Sequence, residues 1–199
     1  MISTHDNDLT GTALASRSAG VSPAIALEAG GTPALLHAPQ PAPTVLLLGV
    51  GNWLMGDEGV GIHVVQALES QPSLFGVRTL DGGTGGVNLL LELEGMRDVV
   101  MVDATRDGQP AGTITFLQPR QVGDLPRGLG AHDFGLKDLF AAAALIGQLP
   151  AIHLYTISVE ELKPMCTDLS PAVVAAVPEV VHAMHALAAR LAAEGQGSR

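Results

Sequence analysis

The sequence is poor in cysteine, in aromatic residues and in basic residues. Its single cysteine, Cys166, cannot form an intramolecular disulfide, so nothing requires an oxidising compartment. Ten Lys and Arg residues against 20 Asp and Glu give a formal charge of −10, which offers no basic face to nucleic-acid phosphates. No apolar run approaches the roughly 20 residues of a membrane-spanning helix. These deficits predict a cytoplasmic protein that neither binds nucleic acid nor inserts into a membrane.

What is present is a chain of 199 residues, 47% hydrophobic and only 3% aromatic. That length suits one domain with a substantial core, and the core must be built from Ala, Val, Leu and Ile. Residues 1–43 differ from the rest, because scattered Ser, Thr, Gly, Pro and Ala end in the stiff sequence HAPQPAP. We predict a disordered extension over 1–43 and a folded domain over 44–199.

Short apolar runs alternate with segments of helical spacing along the domain, which predicts parallel strands joined by crossover helices. Ser170 and Pro171 are expected to open the last helix as N-cap and first residue, and Pro178 to kink or break it. The fold class is therefore a three-layer α/β/α domain with a mostly parallel, twisted sheet of about five strands. The predicted strands are 44–49, 77–81, 98–103, 113–117 and 151–158, and the predicted helices 58–70, 86–94, 134–148 and 171–193.

The glycine turn after the first strand does not have the features of a nucleotide site. A dinucleotide fingerprint that begins at Gly49 and Gly51 would need a third glycine at Leu54. A phosphate loop would need Lys followed by Ser or Thr before the helix, where this chain has Asp57 and Glu58. Two carboxylates at a helix N-terminus would repel a phosphate.

The carboxylates of this turn suit a different chemistry. Asp57 is interpreted as the N-cap of the following helix, whereas Glu58 is not needed for capping. Asp103 ends an apolar strand at the carboxyl edge of the sheet, where open α/β sheets bind ligands. If the first and third strands are neighbours, Glu58 and Asp103 converge there.

His132 lies in a loop before a predicted helix, so it is either a solvated loop residue or part of the site. Glu58, Asp103 and His132 in one crevice would form a three-ligand metal site with open coordination positions. Asp81–Gly86 (DGGTGG) is either a strand-to-helix turn that needs positive φ or a backbone surface for a bound peptide.

The remaining candidate residues favour structural roles. Cys166 has no recognisable partner histidine and is interpreted as a small hydrophobe. His182 and His185 are three residues apart on one helix and could share a metal, but a half-buried or solvated face is the simpler interpretation. Trp53 is expected over the mouth of the crevice or against a partner, and His63 and His153 are interpreted as structural.

Several segments, taken in order, resemble the nickel–iron hydrogenase maturation endopeptidases. Leu48–Gly61 (LGVGNWLMGDEGVG) is similar to the opening motif of that family, GxGNxLxxDEGxG in outline. The other matching segments are Asp81–Gly85, Val102–Ala104, Ala131–Leu136, Glu160–Pro164 and Leu169–Val173. The resemblance covers about Val45 to Leu191, and the long N-terminal extension is the main departure from it.

This resemblance implies an endopeptidase that removes a short C-terminal peptide from the hydrogenase large-subunit precursor after nickel insertion. The metal-contacting positions of the family match Glu58, Asp103 and His132, and nickel is expected to arrive with the substrate. Glu58 and Asp103 are the candidate catalytic residues. The candidate substrate contacts are Gly51, Asn52, Asp81, Gly82, Gly83 and Thr84. A non-catalytic protein that recognises the nickel-loaded large subunit without cutting it is the alternative function.

Overall fold

A five-stranded sheet forms the middle layer of the domain. The computed structural model describes residues 42–126, 128–129, 136–147 and 149–196. The strand order is β2-β1-β3-β5-β4, and only β4 runs antiparallel to its neighbour. The strands are β1 (Val45–Gly49), β2 (Val77–Asp81), β3 (Asp98–Thr105), β4 (Ile114–Leu117) and β5 (Ala151–Ser158). The predicted number of strands and their mostly parallel pairing are confirmed.

Helices cover both faces of this sheet, as the three-layer prediction requires. One apolar cluster joins α1 and α4 to a face that includes Leu47 and Val100, and a second joins α2 and α3 to the face of Leu48 and Met101. Because successive strand residues point to opposite faces, the all-apolar runs of β1 and β3 fill both clusters. The α-helices are α1 (Val60–Glu69), α2 (Leu90–Leu93), α3 (Leu136–Leu145) and α4 (Pro171–Gln196).

Two predicted helices have different beginnings from those expected. The chain enters α1 through a 3-10 turn, Gly56–Gly59, and enters α2 through another, Gly86–Leu89. The second predicted helix is therefore a short 3-10 segment followed by a single α-helical turn. The glycines that begin both turns have positive φ, 63° at Gly56 and 49° at Gly86, which interrupts regular helix geometry.

The helix α4 begins at Pro171, as predicted, but it continues through Pro178 without interruption. The expected break is therefore wrong, and the kink stays a prediction. Pro178 is exposed, while Val173 and Val180 on either side of it are buried in the core. Packing on both sides stabilises the helix across the position where proline removes a hydrogen-bond donor.

The composition of α4 also satisfies the length and hydropathy of a membrane span, with 39% of its apolar window buried inside the domain. Its buried face includes Val180, Met184 and Leu191, which pack in the same cluster as α1 and β1. This packing accounts for the apolar composition of the helix. The predicted extension, 1–43, lies outside the described residues apart from its last two, and its disorder stays a prediction.

Candidate active site

The site predicted at the carboxyl edge of the sheet lies where the strand order reverses. The strand β1 has β2 on one side and β3 on the other, so the chain leaves β1 in one direction and later returns in the other. Gly49 pairs with Val102, and the Val50 N–H donates to the Val102 carbonyl over 2.9 Å. Such a reversal creates the crevice in which α/β sheets bind ligands, and the neighbouring β1 and β3 satisfy the condition for convergence.

Glu58 lies in the 3-10 turn Gly56–Gly59, directly beyond this edge, with 3% of its surface exposed. Its backbone carbonyl accepts a hydrogen bond from the Asn52 N–H over 3.2 Å, which folds the turn back on the end of β1. A Cβ atom at Gly51 would overlap the Glu58 carbonyl oxygen. The turn can therefore close over the strand only because residue 51 is glycine.

Gly61 places the first turn of α1 equally close to the sheet. A Cβ atom at this position would lie 2.7 Å from the Val50 nitrogen and 2.8 Å from the Val102 oxygen. These are backbone atoms of β3 and of the residue after β1, which cannot shift without straining the sheet. The missing side chain thus sets how near Glu58 approaches the edge of the sheet.

Asp103 is 2% exposed and follows Val102 on β3. Burial raises the pKa of its carboxyl group well above the ordinary value, and the negative charge of Glu58 raises it further. The Ala104 N–H donates to Asp103 Oδ1 over 2.8 Å and partly opposes this shift in pKa. The structure therefore brings Glu58 and Asp103 within electrostatic reach of each other.

Two neighbouring carboxylates in a buried crevice are costly when both are ionised, because each is desolvated and each repels the other. A divalent cation would compensate both effects, and carboxylate oxygens are suitable ligands for one. The arrangement fits a metal-contacting site. His132, the third predicted ligand, lies outside the described residues, and within 42–126, 128–129, 136–147 and 149–196 no group of three His, Cys, Asp or Glu residues could hold a metal.

Asp57 does not cap the helix that follows it, so that prediction is wrong. The residue before α1 makes no side-chain capping bond, and Asp57 Oδ1 instead accepts a hydrogen bond of 2.6 Å from the Ser170 N–H. The predicted N-cap hydroxyl, Ser170 Oγ, is buried and has no hydrogen-bond partner in the part of the chain that the structure describes. The Asp57 carboxylate thus stabilises the entry to α4 from a distant segment.

The predicted substrate contacts lie in two segments that follow β1 and β2 at the carboxyl edge of the sheet. The Gly82 N–H donates to the Gly49 carbonyl over 2.8 Å, and the Gly51 N–H donates to the Gly83 carbonyl over 3.0 Å. Asp81 Oδ1 accepts from the Gly83 N–H over 2.9 Å. The two glycine segments are therefore joined side by side, with Asp81 and Thr84 exposed beside them and Asn52 half-buried.

Residues 159–170, here called the clamp loop, form hydrogen bonds to the segment just before Glu58. Met55 and Cys166 form an isolated bridge, in which the Gly56 N–H donates to the Cys166 carbonyl over 2.7 Å and the Cys166 N–H donates to the Leu54 carbonyl over 3.3 Å. The Lys163 N–H also donates to the Met55 carbonyl over 3.3 Å. Nothing in the sequence indicated this pairing, because its partners are more than 100 residues apart.

Trp53 and His63 strengthen the same junction. Their rings stack with centroids 4.4 Å apart, and the Nε2 atom of His63 lies 3.2 Å from the Thr167 carbonyl oxygen. His63 has the structural role that was predicted. Trp53 thus packs against α1 through His63, and the clamp loop contacts His63 through Thr167.

The other candidate residues have structural contacts. His153 Nε2 lies 3.0 Å from Asp98 Oδ1 at the opposite edge of the sheet, and Cys166 Sγ lies 3.6 Å from the Asp168 carbonyl oxygen. His185 Nε2 lies 3.1 Å from the Pro72 carbonyl oxygen, whereas His182 is exposed. These contacts favour the structural interpretation over a shared metal on α4.

Comparison with known proteins points to one family. The hydrogenase maturation protease (HycI) family model matches residues 62–187. The hydrogenase expression/formation protein HupD of Thiocapsa roseopersicina is 36% identical over 127 residues, which are 61% of this chain and 56% of that protein. The hydrogenase 2 maturation protease of Escherichia coli K12 is 35% identical over 124 residues, 60% of this chain and 76% of that protein. The chain thus spans little more than half the length of the first relative.

Solved structures have the same architecture. The hydrogenase maturating endopeptidase HybD from E. coli matches with a TM-score of 0.66 and 31% identity, covering 72% of this chain and 90% of that one. The [NiFe] hydrogenase maturation protease HybD from Thermococcus kodakarensis matches with a TM-score of 0.61 and 29% identity, covering 72% and 98%. The sheet and its covering helices are the shared part.

Proposed function

The chain belongs to the hydrogenase maturation protease family, and from this premise we propose that it is an endopeptidase that processes a hydrogenase precursor. Its substrate is the nickel–iron hydrogenase large-subunit precursor, from which it removes the C-terminal peptide after nickel insertion. The observation that supports this proposal is the burial of Glu58 and Asp103 at the reversal of strand order, where the charge of Glu58 raises the pKa of Asp103.

In this proposal the nickel ion is part of the substrate. Two carboxylates and an imidazole are a weak set for holding nickel alone, and soft sulfur ligands of the precursor would complete its coordination. Glu58, Asp103 and His132 are the residues that would contact the ion. The protease would then cut only a precursor in which the metal is already in place.

The described neighbours of His132 support its inclusion. Leu129 forms a bridge with Thr105, two residues beyond Asp103, and the Arg106 N–H donates to the Gly128 carbonyl over 2.9 Å. Leu136 begins α3, which packs on the sheet face that Asp103 continues. Leu129, three residues before His132 in sequence, thus lies at the carboxyl end of β3.

The chemistry proposed for the site is hydrolysis of a peptide bond by an activated water. Nickel bound to the precursor supplies Lewis-acid polarisation of the scissile carbonyl. Glu58 or Asp103 accepts a proton from the attacking water and returns it to the leaving amine. Asp81 and Thr84 are exposed beside the joined glycine segments and are the proposed contacts of an extended peptide.

The decisive experiment is mass spectrometry of a cognate precursor after incubation with the protein, with and without nickel. We expect release of a C-terminal peptide only from the nickel-loaded precursor. Cleavage of both forms would retain the endopeptidase and overturn the requirement for nickel. Binding without cleavage of either form would support the non-catalytic alternative.

The role of Glu58 in proton transfer is tested by Glu58→Gln, which keeps the shape of the side chain and removes its basicity. We expect cleavage of the nickel-loaded precursor to fall at least about 100-fold. Glu69→Gln is the matched control, because Glu69 is an exposed residue at the end of α1. Full activity of Glu58→Gln would exclude proton transfer by this side chain.

We place the reaction in the cytoplasm, where a chain with one cysteine needs no disulfide.

A further inference from the structure

Met165, in the clamp loop, has an unusual backbone. Its φ is 59°, and among the described residues it is the one residue other than glycine with positive φ. The left-handed region is unfavourable for a side chain with a Cβ atom, whereas glycine adopts it freely. A methionine at this position therefore carries a conformational penalty.

The domain itself gains little from this side chain. Met165 is 85% exposed, so its apolar atoms bury almost nothing within the chain. The backbone on its C-terminal side is held by the bridge between Cys166 and Met55, which keeps the strained residue in one conformation. Strain that the surrounding structure maintains, with no gain in packing, is typical of functional positions.

A second exposed apolar side chain lies on the other segment of this bridge, next to Met55. Leu54 is 49% exposed, its carbonyl accepts the Cys166 N–H over 3.3 Å, and its own N–H donates to Asn52 Oδ1 over 3.0 Å. Leu54 is also four residues before Glu58 on the same turn. The bridge thus holds Leu54 and Met165 next to the turn that carries Glu58.

We propose that Leu54 and Met165 form an apolar contact for the large-subunit precursor at the rim of the active site. This inference rests on the proposed function and adds a residue pair that recognises the substrate protein. Apolar side chains of the precursor near its cleavage region are the partner, because Leu54 and Met165 expose apolar atoms beside the turn that carries Glu58. The flexible thioether of methionine adapts to irregular partner surfaces.

The test compares Met165→Ala and Met165→Gly with the wild type in cleavage of the nickel-loaded precursor. We expect KM to rise about tenfold in both variants, as for an exposed apolar side chain that becomes buried on binding, with kcat changed less than about twofold. Met165→Gly also relieves the backbone strain, so its Tm should be at least that of the wild type and up to about 2 °C higher. A weaker substrate interaction in a variant of undiminished stability excludes general unfolding as the cause.

Leu145→Ala is the matched control, since Leu145 is 88% exposed at the end of α3, and its KM should stay at the wild-type value. An unchanged KM in Met165→Ala would overturn the contact and leave the endopeptidase assignment intact. If the wild type leaves the precursor uncut, the proposed function fails and calorimetric binding of the same precursor decides. Tenfold weaker binding by Met165→Ala would then support the contact, and equal or undetectable binding by both proteins would refute it.

Discussion

Asp57 Oδ1 accepts a hydrogen bond of 2.6 Å from the Ser170 N–H, and this bond joins the turn that carries Glu58 to the residue before α4. The two residues are 113 positions apart in sequence. Asp57 is 7% exposed, so its carboxylate provides a backbone donor at the helix entry with an acceptor where little solvent can do so.

Asp57→Ala removes the acceptor and leaves the Ser170 N–H without its partner. We expect the free energy of unfolding to fall by about 2 kcal/mol, and Tm by about 4–8 °C in a domain of this size. Asp57→Asn keeps an oxygen acceptor and should lose less than half as much. Thermal unfolding of the three proteins checks this, and equal losses for Ala and Asn would show that the charge, and not the hydrogen bond, is responsible.

Asp103→Asn should stabilise the protein in the absence of substrate while reducing cleavage at least about 100-fold. The pKa of Asp103 is raised in the folded state, chiefly by burial. Below the pKa of an unfolded aspartate, about 4, both states hold the proton and the substitution changes little. As pH rises above that value the unfolded state ionises first, so the wild type loses stability that the Asn variant keeps.

The measurement for Asp103→Asn is Tm against pH, with a chelator present. We expect the difference between the variant and the wild type to grow as pH increases from about 4 towards neutrality. Asp138→Asn is the control, because Asp138 is exposed on α3. A Tm advantage that is largest at low pH would contradict the expected sign.

Gly61→Ala should destabilise the protein by about 3 kcal/mol, although alanine is the better helix former by about 1 kcal/mol. Its Cβ atom would press on backbone atoms of Val50 and Val102 and would lift the start of α1 from the sheet. Cleavage should fall with it, because Glu58 directly precedes this segment. Gly123→Ala has no atom closer than 4.0 Å to its Cβ, and its chemical denaturation curve should match that of the wild type.

His153→Ala should lower stability without changing cleavage. His153 is 7% exposed and contacts Asp98 and Gln118, over 3.0 and 3.1 Å, at the edge of the sheet away from Glu58. Loss of the ring and of its hydrogen bond to Asp98 should cost about 2–4 kcal/mol. His182→Ala, at an exposed position, should change neither Tm nor kcat/KM. A drop in kcat/KM for folded His153→Ala would overturn its structural role.

The layers of this protein and the two carboxylates of its candidate site could be predicted from local sequence patterns. Runs of Val and Leu without polar alternation specify strands that are buried on both faces, since only a covered parallel sheet can hold them. Asp103 at the end of such a run, and Glu58 after a glycine turn, are local signals. For these two carboxylates to lie at the same edge of the sheet, β1 and β3 must be neighbours, as they are.

Which distant segments support those residues depends on how the chain packs. Asp57 had the local pattern of an N-cap, yet it serves Ser170, because a loop 113 residues away packs against its turn. Pro178 carried a strong helix-breaking signal, yet the buried residues on both sides of it hold α4 in place. The bridge between Met55 and Cys166 and the strain at Met165 likewise depend on chain packing. Contacts between segments far apart in sequence leave no periodicity along the chain, so only the folded structure contains them.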